Sequence, residues 1–361
     1  KMNSKNSAII MAGGIGSRFW PYSTIKKPKQ FQDFMGSDHT LIQLTFNRLK
    51  KIIPRDNIFI LTNKLYKKLV KEQIRGINES RILLEPEMKN TAPCILYASL
   101  KIKKVNPMAN VIVAPSDHWI EDEKSFIKNI DLAFDLITIK PSLVTFGIRP
   151  NRPDTGYGYL KCLNIKNNSN KILLVDKFIE KPNLLNAKKY LKSEKFLWNS
   201  GIFVWKNFDI LSEFKKFQPK MFKILNDGYD LFDTKSEKDF ISQNYSLLDE
   251  ISIDFAIMEK TKNCYSIIAD FDWSDLGTWT SLLNKSEKDE NSNFTLKKNI
   301  YIEDVSGSLV YNKSDKLIVV NGLKDFIVVL DNDVLLIYPK GDDQKLKNIV
   351  KNVKKDFGDK M

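Results

Sequence analysis

The chain has 361 residues, 42% of them hydrophobic and 28% charged, which is ordinary for a soluble globular protein and long enough for two domains with sizeable cores. No apolar run approaches the roughly 18 residues of a membrane-spanning helix, so a helical membrane protein is excluded. Lysine and arginine outnumber aspartate and glutamate by 57 to 44, a formal charge of +13, but the lysines are spread evenly and form no basic stripe with interleaved aromatics, so no nucleic-acid partner is expected.

Lys1 ahead of Met2 reads as a tag remnant, and residues 7–12 are too short an apolar stretch for a signal peptide. Short apolar runs rich in β-branched residues then occupy 8–11, 58–61, 82–84, 111–113, 143–146 and 172–175. Helical periodicity occupies 41–52, 65–74, 92–105 and 126–137. The alternation predicts βαβ units in a Rossmann-like, doubly wound, mostly parallel α/β sheet, within a domain over residues 1–287. Charged and polar residues at 287–293 predict a linker. Beyond it, strands at 300–302, 308–311, 317–320, 326–330 and 334–337 are separated by Asn-Gly or Asp-Asn turns, and a helix follows over 343–357. Residues 288–361 are therefore expected to be a small β domain with a closing helix. Cys94, Cys162 and Cys264 stand far apart and there are two histidines, so neither a disulfide framework nor a structural zinc is expected, and the compartment implied is the cytoplasm.

Directly after the first strand, three glycines fall within four positions, Gly13, Gly14 and Gly16, and Arg18, two prolines and three lysines follow by position 29. A glycine-rich strand-to-helix turn presents backbone N–H groups to phosphates. A P-loop would close on Gly-Lys-Ser/Thr, but Gly16 is followed by Ser17-Arg18. A dinucleotide fingerprint would place glycine at position 19, which is Phe19.

The order Gly-Gly-x-Gly-x-Arg-x-x-Pro, followed by Pro28-Lys29-Gln30, resembles the signature loop of the sugar-phosphate nucleotidyltransferases. Pro28 to Phe31 resembles the mannose-1-phosphate guanylyltransferases among them. Further motifs resemble the family in order: Glu85-Pro86 with Asn90-Thr91-Ala92-Pro93, Pro115-Ser116-Asp117-His118, and Thr155-Gly156-Tyr157-Gly158-Tyr159. Phe178-Ile179-Glu180-Lys181-Pro182, Trp198-Asn199-Ser200-Gly201 and Trp273-Ser274-Asp275-Leu276-Gly277-Thr278-Trp279 complete the set, which spans residues 8–280. Asp154 stands where the family usually has Glu. Longer bacterial members append an isomerase domain, which is not expected here. The C-terminal domain resembles the family's short left-handed β-helix.

The resemblance implies transfer of GMP from GTP to mannose 1-phosphate, with Mg²⁺ as cofactor and a homodimer as candidate assembly. The attacking group is already an anionic phosphate, so positioning and charge stabilisation carry the catalysis. Arg18, Lys29 and Asp117 are the candidate catalytic residues. Ala12, Gly13, Gly14, Gly16, Ser17, Glu85, Asn90 and Thr91 are candidates for the nucleotide; for Asn90 and Thr91 a base contact and a helix cap are both open. Gly158, Glu180, Lys181 and Asn199 are candidates for the sugar phosphate, with turn chemistry beside Gly201 as the alternative for Asn199. Asp117 and Asp275 are the candidate metal ligands, the alternatives being an N-cap and an Asx turn. Trp198, Trp273 and Trp279 are expected to pack. Two other readings are another sugar substrate, such as a manno-heptose phosphate, and a silent nucleotide-sugar-binding regulator.

Overall fold

A computed structural model describes residues 5–163, 171–296, 298–341 and 343–358; the Lys1 and Met2 start lies outside the described residues. The chain forms two compact units, neither continuous in sequence. The first comprises Lys1–Gly13, Thr45–Ser116 and Ile120–Trp273; the second comprises Gly14–Leu44, Asp117–Trp119 and Ser274–Met361.

Nine strands make one sheet in the first unit: β1 (Asn6–Met11), β2 (Ile58–Asn63), β3 (Ile82–Glu85), β4 (Asn110–Pro115), β5 (Leu143–Ile148), β6 (Tyr159–Cys162), β7 (Ile172–Ile179), β8 (Phe196–Lys206) and β9 (Cys264–Ile268). Their order is β3-β2-β1-β4-β8-β5-β9-β7-β6. The first four pair in parallel, and the apolar residues of β1 and β4 short of their last positions, Met11 and Pro115, are buried, as continuous apolar runs predict for strands covered on both faces. β8 enters antiparallel between β4 and β5, pairing Val113 with Phe203 and Val144 with Val204. β7 runs antiparallel to both β9 and β6.

The sheet is thus mixed rather than mostly parallel, and residues 172–175 open an antiparallel strand. An apolar run reports coverage on two faces, not direction. Residues 202–205 are as buried as the parallel strands, yet β8 pairs back onto β6 through Tyr159 and Trp198.

Helices α1 (Leu41–Leu49), α2 (Lys67–Gln73), α3 (Thr91–Val105) and α4 (Glu123–Ile139) lie where periodicity places them, with frayed bounds. Four more, α5 (Leu184–Ser193), α6 (Asn207–Phe217), α7 (Pro219–Asn226) and α8 (Glu237–Asn244), fill a stretch that the apolar pattern left unassigned. No described helix is long and apolar enough to cross a membrane.

In the second unit, α9 (Trp279–Lys285) is followed by β10 (Phe294–Leu296), β11 (Ile300–Glu303), β12 (Leu309–Asn312), β13 (Ile318–Asn321), β14 (Phe326–Asp331), β15 (Val334–Pro339) and α10 (Asp343–Phe357). From β11 onward parallel partners recur 18 positions apart, as 309 with 327, 300 with 318 and 306 with 324, whereas β10 pairs with β12 at a spacing of 15. That is a coil of 18-residue turns around Val310, Ile318, Val320 and Val328. The Asn-Gly pair at 321–322 turns a corner of the coil, with Gly322 at φ 72, whereas the Asp-Asn turn after β14 closes a hairpin onto β15. A second core joins the coil to the glycine-rich loop: Phe19, Phe34, Trp279, Tyr311, Val329 and Leu346 are buried together.

Candidate functional site

In the second unit the loop after Gly14 is shaped by Gly16, which adopts φ 71. A Cβ there would lie 2.4 Å from the Lys29 Cβ, so only glycine lets the two segments approach. Ser23 Oγ donates to the Ile15 carbonyl at 2.6 Å and tightens the same turn. Ser17–Phe19 is one 3-10 turn, anchored where the Phe19 ring meets Phe34 and Trp279 edge-on at 4.4 and 5.0 Å. Arg18 therefore rides on a fixed turn. Its Nε is buried with no hydrogen-bond partner among the described residues. Buried N–H groups without an acceptor are rare in folded proteins, so this donor is open to a partner from outside the chain.

Lys29 is the other basic residue of the loop, and its side chain is 4% exposed. A buried ammonium needs partners. It donates to Asp117 Oδ2 at 3.0 Å and to the Asp275 backbone carbonyl. Burial pushes the Asp117 carboxyl up, but the charges of Lys29 and His118 and the Lys29 hydrogen bond outweigh it and hold the group below its ordinary value. Asp275 Oδ1 accepts from the Gly277 N–H at 3.1 Å, so the Asx turn is present as well. One lysine thus gathers both aspartates that the sequence nominates for a metal. No cluster of three or more metal-ligating side chains occurs among the described residues.

The first unit holds the remaining candidates. Ala12 is built into the sheet end, its N–H donating to Leu61 O at 2.8 Å and its carbonyl accepting from Thr62 Oγ1 at 2.9 Å. The buried Glu85 accepts from the Tyr245 hydroxyl at 2.6 Å, and a Cβ on Gly13 would lie 3.7 Å from its other oxygen. Burial pushes the Glu85 carboxyl up to about 7, although the Tyr245 hydrogen bond opposes the shift. Asn90 caps α3, accepting from the Thr91 N–H at 2.9 Å, and it holds φ 66 with ψ −166, a conformation nearly confined to glycine. Thr91 Oγ1 accepts from the Ile253 N–H at 2.8 Å. The capping alternative is therefore realised for Asn90, while its amide nitrogen stays on an exposed residue.

A second set in this unit surrounds Gly158. A Cβ there would sit 2.6 Å from Glu180 Oε2 and 3.5 Å from the Asn199 Cβ, so any larger residue would push the carboxylate from its present place. Glu180 is 11% exposed at its side chain and ion-pairs with Lys181, which is 62% exposed. The Asn199 amide is held on both ends. Its oxygen accepts from Thr145 Oγ1 at 2.8 Å and from the Gly201 N–H at 3.2 Å, and its nitrogen donates to Asp254 Oδ1 at 3.1 Å. The turn chemistry with Gly201 is thus real, but it is one of three bonds.

Asp254 is the residue that motif reading passed over. Burial first, and then the nearby Glu180 charge, push its carboxyl up to about 7. The signal available in the sequence was an acid inside the otherwise apolar stretch 253–258. Trp198, Trp273 and Trp279 are all buried, and the first two flank Tyr157 at 5.0 and 5.3 Å.

Comparison with known proteins gives a consistent picture. The family model described as nucleotidyl transferase matches residues 7–292. The chain is 32% identical over 361 residues to a mannose-1-phosphate guanylyltransferase of Escherichia coli, covering 98% of this chain and 76% of that protein. It is 35% identical over 355 residues to a protein of the same name from Salmonella montevideo, covering 96% and 73%. Among solved structures, one described as a mannose-1-phosphate geranyltransferase from Thermus thermophilus superposes with a TM-score of 0.86 at 26% identity, covering 97% of this chain and 99% of that one.

Proposed function

This chain belongs to the nucleotidyl transferase family, and from that premise we propose that it transfers GMP from GTP to α-D-mannose 1-phosphate, giving GDP-mannose and pyrophosphate. The names carried by relatives that match nearly the whole chain support the choice of substrates. The structural observation that carries the reading is the loop of the second unit. There a buried Arg18 donor without a protein acceptor among the described residues and a buried Lys29 flanked by two aspartates support a role in polyanion chemistry.

In the reaction, a phosphate oxygen of the sugar 1-phosphate bonds to the α-phosphorus of GTP. The bond from that phosphorus to the bridging oxygen of pyrophosphate breaks, and no proton has to leave the nucleophile. The backbone of Gly13, Gly14 and Gly16, with Ala12 and Ser17 beside them, follows the triphosphate. Arg18 neutralises the leaving pyrophosphate, and Lys29 stabilises charge at the α-phosphate. Glu85, Asn90 and Thr91 face guanine, Glu85 by accepting from N1–H and the exocyclic amine. Glu180 and Asn199 accept and donate to sugar hydroxyls beside Gly158, and Lys181 meets the sugar phosphate. Asp254 keeps Asn199 in place.

Asp117 and Asp275 fit Mg²⁺, which favours one or two carboxylates completed by phosphate oxygens and water. When bound, the metal supplies positive charge to the phosphate oxygens during displacement. Residues 1–287 are assigned to catalysis, and residues 288–361, with their 18-residue turns, to a short left-handed β-helix-like domain. The expected setting is cytoplasmic and the expected assembly a homodimer.

Labelled substrate tests the reading. With GTP labelled at the α-phosphorus, mannose 1-phosphate and Mg²⁺, the label is expected in GDP-mannose and absent from pyrophosphate. Release of labelled GMP alone would overturn it.

A further inference from the structure

The geometry points to Lys313 as a positioning residue for the phosphate loop, acting through the side-chain amide of Gln32; the inference rests on the reading of that loop given above. Gln32 is buried and directly follows the turn Lys29–Phe31, its N–H donating to Lys29 O at 3.1 Å. Its Nε2 donates to two carbonyls, Tyr22 O at 2.8 Å and Lys27 O at 3.0 Å. A single amide therefore ties the segment leaving Arg18 to the segment arriving at Lys29.

The two ends of a glutamine amide are nearly the same shape, so its hydrogen-bond partners decide which way it points. Tyr22 O and Lys27 O can only accept and hold the NH2 end, while Lys313 Nζ, 281 positions further along the chain, donates to Gln32 Oε1 at 3.0 Å and holds the other end. An ammonium can only donate. It pins the oxygen end that no described backbone group reaches, so the amide is held at both ends while its hydrogens stay on Tyr22 and Lys27. Lys313 is itself held in place. It follows β12, its N–H donates to Leu330 O at 2.9 Å on β14, and its ammonium lies 4.2 Å from the centre of the Tyr22 ring. The Tyr22 hydroxyl in turn donates to Asp33 O at 2.9 Å. The C-terminal coil thereby sets how Arg18 and Lys29 are presented, although no residue of it touches a reacting atom in the assignment above.

Three full-length variants test this. Lys313→Met keeps the apolar stem over Tyr22 and removes the donors; Lys313→Arg keeps donors; Gln32→Glu keeps an acceptor for Lys313 but loses both N–H groups. Lys313→Met is expected to lower kcat and raise KM for GTP, together by about threefold to tenfold. KM for mannose 1-phosphate should hold, Lys313→Arg should restore the wild-type values, and Gln32→Glu should reproduce the methionine pattern. Calorimetric binding of inorganic pyrophosphate reads the loop without turnover and should weaken by the same factor in Lys313→Met. A methionine variant that melts earlier but keeps its GTP kinetics and pyrophosphate affinity, or one in which both KM values move alike, would overturn the inference. A wild-type protein that binds pyrophosphate but turns over no mannose 1-phosphate would count against the substrate reading instead.

Discussion

In the proposed reading, Lys181 carries a charge that only one of the two substrates needs. Its ammonium pairs with Glu180 while most of the side chain stays in solvent, well placed to exchange that partner for a phosphate. Lys181→Ala is expected to raise KM for mannose 1-phosphate at least tenfold, the order of a lost charge-assisted hydrogen bond, with KM for GTP little changed. Steady-state kinetics with each substrate varied in turn decides it, and equal shifts for both would remove the assignment.

Glu85 makes a prediction in pH. Its carboxyl titrates at about 7 in the fold against an ordinary 4.5, because burial disfavours the ionised form. Stability from this group is therefore complete below about 4.5 and lost as pH rises through about 7. Glu85→Gln removes that dependence, so the wild type should lose stability relative to the variant over this window, on the order of 2–4 kcal/mol in all. In the proposed role Glu85 accepts from two guanine N–H groups at once, which favours the ionised form, so GTP affinity should rise with pH across the same window in the wild type and stay flatter in the variant. Parallel profiles for the two proteins would contradict the role.

Glu85, Lys29 and Lys181 were legible because each sits inside a motif. Asp254 was not, because its partner Asn199 lies 55 positions away and only folding joins them.

At the scale of elements, the two aspartates differ in how they meet Lys29. Asp275 offers a backbone carbonyl, so Asp275→Asn keeps that contact and can keep its turn to Gly277. It should melt near the wild type while turnover falls by ~10², the scale of losing one stabilising group in a preorganised site, and the Mg²⁺ needed for half-maximal rate should rise. Asp117 offers the carboxylate itself, so Asp117→Asn also weakens the partner of a buried ammonium. That variant should lose a comparable factor in turnover and, in addition, roughly 1–3 kcal/mol of stability. Thermal melts beside activity at graded Mg²⁺ separate the two cases; a fully active Asp275→Asn protein at limiting metal would rule out the shared ion.

The elements themselves were legible where period and burial agree. β1, β4 and α3 follow their apolar patterns closely. Strand direction was not, since the buried run in β8 looks the same whether it pairs parallel or antiparallel. The Asn-Gly turn at 321–322 misleads for a similar reason: its local chemistry permits a hairpin, whereas the 18-residue coil makes it a corner.

The whole chain shows what local patterns omit. The core of the second unit is assembled from Phe19 and Phe34 near one end and Tyr311, Val329 and Leu346 near the other, so no window of sequence contains it. The boundary at 287 marks a change of composition, while the compact units cross the chain after Gly13, Leu44, Ser116, Trp119 and Trp273. Candidate site residues could be nominated more readily than this architecture, because chemistry on phosphates demands particular residue types at short spacings.

Substrate choice is the central claim, and pyrophosphate release across four nucleoside triphosphates and several sugar 1-phosphates, with Mg²⁺ present, tests it most directly. A site that hydrogen-bonds the guanine edge leaves buried polar groups unpaired against adenine, so GTP with mannose 1-phosphate should exceed every other pair by a wide margin. Equal or faster release with UTP, ATP or dTTP, or with another sugar 1-phosphate, would contradict the account.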